Sequence, residues 1–94
     1  MDAFETQLLT ETGQHLRAAR LRAGLNLHQL ARLCGISAPA LSLIETGKRD
    51  PRLTTLSRIA KALRLPLAEL LAPHDLAERP DETVAGGYDL GDYQ

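Results

Sequence analysis

Few side chains in this chain have types and spacing suited to bond-making chemistry. His15, His28 and His74 share no metal-ligand spacing with one another or with the single cysteine, Cys34, so no zinc or other metal site is expected. Cys34 falls in an apolar stripe and reads as core filler, not as a redox group. No nucleophile–base pair stands at a recognisable spacing. Gly86-Gly87 neither follows a strand nor opens a helix, so no phosphate-cradling loop forms there. No cofactor and no enzyme activity are expected. The remaining signal is charge. Residues 1–72 hold ten basic against six acidic residues, a net +4, and residues 73–94 hold one basic against six acidic, a net −5. A basic body with an acidic tail is a polyelectrolyte-binding pattern.

The elements that must position such a surface are short. At 94 residues one domain is the expectation, and a core of that size needs no staples. Leu and Ala dominate while the aromatics are Phe4, Tyr88 and Tyr93, which suits helices better than sheets. A lone cysteine makes no intramolecular disulfide, which fits a reducing cytoplasm. No apolar run approaches the ~20 residues of a membrane helix, and the N-terminal residues lack the basic start of a secretory signal.

Residues 1–12 read as a polar leader with Phe4, Leu8 and Leu9 at helix-like spacing. From Gly13, Leu16, Ala19, Arg20 and Ala23 share one helical face, and Gly24 closes that helix. Asn26 caps a second helix with the stripe Leu27, Leu30, Ala31 and Cys34, stopped by Gly35. Ser37 caps a third, with Pro39 in its first turn and Leu41 and Ile44 inward. After the breaker-rich loop Thr46–Pro51, a fourth helix carries Leu53, Leu56, Ile59, Ala60 and Leu63. Pro66 opens a fifth with Leu67, Leu70 and Leu71. Residues 74–94 hold no helical stripe, and a flexible tail is expected. The reading is an all-α, five-helix domain over 13–72, between a leader (1–12) and an acidic tail (73–94).

Leu27 to Ile44 satisfies the steric demands of a helix-turn-helix. Ala31 is small where two helices cross, Gly35 supplies the unusual turn angle, and Leu30, Cys34, Ile36, Leu41 and Ile44 fill the inner angle. The segments Gly24-Leu25-Asn26, Leu30-Ala31, Gly35-Ile36-Ser37, Ile44-Glu45-Thr46-Gly47-Lys48-Arg49 and Ile59-Ala60-Lys61-Ala62-Leu63 together resemble the Cro/lambda-repressor-like, or Xre-type, family of transcriptional regulators.

The resemblance implies a five-helix fold whose third helix enters the DNA major groove. It implies that Arg20 and Glu45 pair. Arg20 also lies on an otherwise apolar face, where it needs a carboxylate. Base contacts fall to Ser37, Ala38, Pro39, Ala40, Ser42 and Leu43, phosphate contacts to Lys48, Arg49 and Arg52, and Thr46 and Gly47 can present backbone N–H groups. Two departures stand out. Leu27 or His28 occupies the place where the family has a polar phosphate contact. The recognition positions are mostly apolar, leaving contacts to thymine methyls or DNA shape.

The expected function is a repressor or autoregulator binding double-stranded DNA as a homodimer, with half-sites about 34 Å apart. Leu65, Leu67, Leu70 and Leu71 are the expected dimer surface, with Phe4, Leu8 and Leu9 as a second candidate. An antitoxin using Tyr88, Leu90 and Tyr93 of the tail to bind a toxin partner is the alternative. A protein-interaction module without DNA binding is a third reading.

Overall fold

The first helix begins at Ala3, well before Gly13. The computed structural model describes residues 2–71, and among them five helices follow in order: α1 (Ala3–Arg22), α2 (Leu27–Cys34), α3 (Ala38–Glu45), α4 (Leu53–Ala62) and α5 (Leu67–Leu71). The early start has a local cause. The Asp2 carboxylate accepts from the Glu5 N–H at 2.8 Å, and the Glu5 carboxylate accepts from the Asp2 N–H at 3.4 Å. This reciprocal capping box satisfies two otherwise orphaned donors. The expected leader is therefore the first half of α1, and the expected boundary at residue 13 falls inside one continuous helix.

The other helix ends follow the sequence signals. Asn26 and Gln29 form a second capping box, both bonds at 2.8 Å, and Ser37 Oγ accepts from the Ala40 N–H at 3.1 Å. The left-handed turn of Gly35 (φ +75°) brings the Ile36 N–H onto the Ala31 carbonyl at 3.1 Å, closing α2. At the end of α4 the same left-handed conformation is taken by Arg64 (φ +60°), a residue with a Cβ.

Leu16, Leu30, Leu41, Ile59 and Leu70 are fully buried and anchor the core, with Ala31, Cys34, Ile44, Leu56 and Ala60 around them. α1 packs on α3 and α5, α2 on α3 and α4, and α4 on α5. Two sequence expectations change here. Leu53, expected on the inner stripe of α4, is 66% exposed in the helix's first turn, whereas Phe4, named as a candidate surface residue, is 74% exposed as that reading requires. Ala23 is the exposed C-cap of α1 and adds nothing to its inner face. The expected tail, with His74, Tyr88, Leu90 and Tyr93, lies outside the described residues. No helix among the described residues is long and apolar enough to cross a membrane.

Candidate nucleic-acid interface

The third helix is held from both sides of its last residue. On one side, Arg20 Nε donates to Glu45 Oε2 at 2.7 Å and Nη2 donates to Oε1 at 3.1 Å. The remaining nitrogen, Nη1, donates to the Leu25 carbonyl at 2.9 Å. Both side chains are over nine-tenths buried, and among the described residues no buried side-chain polar atom lacks a partner. A two-pronged guanidinium–carboxylate contact fixes angle as well as distance, so α1 sets the tilt of α3 directly. The ion pair expected from the sequence is present.

On the other side, Gly13 of α1 lies against the α3 backbone. A Cβ at Gly13 would stand 2.6 Å from the Ile44 carbonyl oxygen and closer still to that of Glu45. Only a glycine permits this approach. A turn later, a Cβ on Gly47 would meet the Thr10 backbone at 2.9 Å. The spacing of the sequence presents Gly13 as a helix start, and nothing local distinguishes a helix-opening glycine from one that admits a neighbouring backbone.

With α3 so fixed, its outer residues fall into two groups. Ser37 and Pro39 are exposed, while Ala38, Ala40, Ser42 and Leu43 are half-buried. Ala38 packs partly against the core, so it presents less surface than an outward reader would. Thr46 is exposed, but its hydroxyl donates back to the carbonyls of Ser42 (2.9 Å) and Leu43 (3.2 Å). Lys48, Arg49 and Arg52 are all exposed and make no salt bridge among the described residues. At the start of α2, Leu27 turns onto the core and His28 is exposed, so His28 is the one of the two free to face a ligand.

Arg49 and Arg52 border an open hollow of about 260 Å³ whose walls include Ile36, Ala40, Pro51 and Thr55. Asp50 is also on its rim. The sequence reading assigned no role to Thr55. Its signal was Arg52 at the N-cap of α4: an arginine cannot accept an N–H bond, and no side chain caps this helix. The first-turn N–H groups of α4 are thus left for solvent or an anion.

The expected dimer surface needs revision. Leu70 is 1% exposed, and its carbonyl accepts from His15 Nδ1 at 3.1 Å, so it belongs to the monomer core. Leu65 and Leu67 are half-buried against that core. Of the four only Leu71 is exposed, at 40%, joined by Phe4 (74%) and Leu8 (42%) of α1. Cys34 is buried, and burial pushes its thiol above the ordinary value of 9.0, with the nearby Arg58 charge opposing weakly. No group of three metal-ligating side chains occurs among the described residues.

Comparison with known proteins agrees with this geometry. The Helix-turn-helix family model matches residues 16–70. An HTH-type transcriptional repressor from Bacillus subtilis, RghR, is 42% identical over 74 residues, covering 78% of this chain and 55% of the relative. The chain spans about half the length of the curated relatives it matches. Among solved structures, the restriction-modification controller protein C.AhdI from Aeromonas hydrophila superimposes with a TM-score of 0.65 at 34% identity, covering 66% of this chain and 94% of the other. A hypothetical transcription factor, NHTF, from Neisseria superimposes with a TM-score of 0.74 at 26% identity, covering 79% and 85%.

Proposed function

Because the chain belongs to the helix-turn-helix family of transcriptional regulators, we propose that it is a repressor or autoregulator that binds its operator through α3 and the loop following it. One observation carries this reading: Lys48 and Arg49 in the loop after α3 and Arg52 at the N-cap of α4 stand exposed with no salt bridge among the described residues, beside a helix whose orientation is locked by Arg20 and Glu45. The three cations and the uncapped start of α4 suit successive phosphates of a DNA backbone. Ser37, Pro39, Ala40, Ser42 and Leu43 then face the major groove, and His28 stands at the α2 end of the same surface. A homodimer fits this function, since paired half-sites one turn apart need two recognition helices. The exposed Phe4, Leu8 and Leu71, on two helices that pack together, supply apolar surface for it. A binding role of this kind needs no catalytic group.

The test is binding to fragments of the chain's own promoter across a salt series. Selective binding is expected, with a logarithmic salt slope that becomes shallower by about 0.9 for each phosphate contact removed. K48E/R49E should abolish it. A folded chain that binds no fragment even at low salt would overturn the proposal.

A further inference from the structure

A second basic surface shares no lining residue with the hollow beside Arg49 and Arg52 and has no role in the reading above. Leu33 of α2 and Arg58, Lys61 and Ala62 of α4 line an open groove of about 340 Å³. Leu33 is 61% exposed, Arg58 and Lys61 are exposed and Ala62 is half-buried. Neither cation forms a salt bridge among the described residues, and no acid lines the groove. An apolar floor between two free cations calls for a ligand that alternates apolar groups with carboxylates. One such segment belongs to this chain: Tyr88-Asp89-Leu90-Gly91-Asp92-Tyr93.

We propose that the groove formed by Leu33, Arg58, Lys61 and Ala62 is the docking site of the chain's own Tyr88–Tyr93 segment. Asp89 and Asp92 face Arg58 and Lys61, while Leu90 and the tyrosine rings cover Leu33. Residues 72–87 connect the last described residue to this segment, and sixteen extended residues span up to about 50 Å. That exceeds the 43 Å long axis of the body, so the groove is within reach. Tethering keeps the segment at high effective concentration, so the contact needs little intrinsic affinity. The hollow beside Arg49 and Arg52 is the poorer site, because Asp50 on its rim repels a carboxylate.

The chain has two tyrosines and no tryptophan, and both tyrosines lie in the segment. Tyrosine fluorescence anisotropy of the full chain therefore reads the docking without any reference to DNA. Anisotropy at low salt should exceed that in ~1 M salt, where screening lengths fall to about 3 Å. It should not vary with protein concentration. R58E/K61E should lower it to the high-salt value, and Leu33→Ser should lower it partway, with helical circular dichroism unchanged in both. The proposal is overturned if a folded R58E/K61E chain keeps its anisotropy, or if the wild type shows no salt-sensitive excess. Loss on K48E/R49E instead would place the segment on the recognition face. A rise with concentration would place it on a second copy. Either result also overturns the assignment.

Discussion

Gly13 and Glu45 are in backbone contact, with the α-carbon of one lying against the carbonyl of the other. The same glutamate is gripped through its side chain by Arg20, seven residues along α1 from Gly13. One helix thus determines where α3 ends and how it is tilted.

Gly13→Ala should therefore destabilise the fold, although alanine is the better helix former by about 1 kcal/mol. The added methyl meets two backbone carbonyls, which cannot rotate away as a flexible side chain can. A net loss of about 1–3 kcal/mol is expected, measurable by chemical denaturation. A variant as stable as the parent would show that α3 can slide without cost.

Glu45→Ala removes the carboxylate and leaves the Arg20 guanidinium buried with only the Leu25 carbonyl as partner. Breaking such a pair typically costs about 3–5 kcal/mol, a large part of a small domain's stability. Replacing both residues in R20M/E45M should cost less than either single change, since no charge is then stranded. A double-mutant cycle in denaturant measures this, and simple additivity would refute it.

Arg64 holds a left-handed conformation that costs an L-residue about 1–2 kcal/mol. Glycine relieves that strain but adds unfolded-state freedom worth roughly 0.5–1 kcal/mol. Arg64→Gly should therefore stabilise the chain by up to about 1.5 kcal/mol, seen as a raised Tm. A lowered Tm would mean that the exposed side chain contributes more than its backbone geometry costs.

Cys34 titrates higher in the folded chain than its ordinary value of 9.0. Below that value the thiol is protonated in both states and favours neither. As pH rises past it, the unfolded thiol ionises first, so stability falls until the folded thiol ionises too. As pH rises above 9.0 the chain should lose stability faster than Cys34→Ala does, and native Cys34 should resist alkylation. Equal pH slopes for the two chains would contradict this.

The four longer helices and most of the inner face were legible because caps and apolar spacing are local signals. Asn26, Gly35 and Ser37 terminate elements by bonds to their near neighbours, and Leu27, Leu30, Ala31 and Cys34 repeat at helical period along α2. The Arg20–Glu45 pair was legible through its family resemblance and through a cation on an apolar face. Three features were not. The Asp2–Glu5 capping box was obscured by the polarity of the leader. The role of Gly13 depends on a backbone from another helix, about which its neighbours say nothing. Leu70 as core instead of interface turns on how α5 packs against α1, and an apolar residue in a short helix looks the same either way.

The outer face of α3 has a further consequence for what kind of DNA it would distinguish. Pro39, Ala40 and Leu43 offer carbon where proton donors and acceptors would discriminate bases. Under the operator-binding proposal such a face would meet the 5-methyl group in the major groove, and thymine shares that group with 5-methylcytosine. Replacing operator thymines by uracil should then weaken binding, and methylating cytosines at matching positions should partly restore it. Binding indifferent to both would exclude methyl contacts. The regulator would otherwise respond to a chemical mark that base pairing does not register.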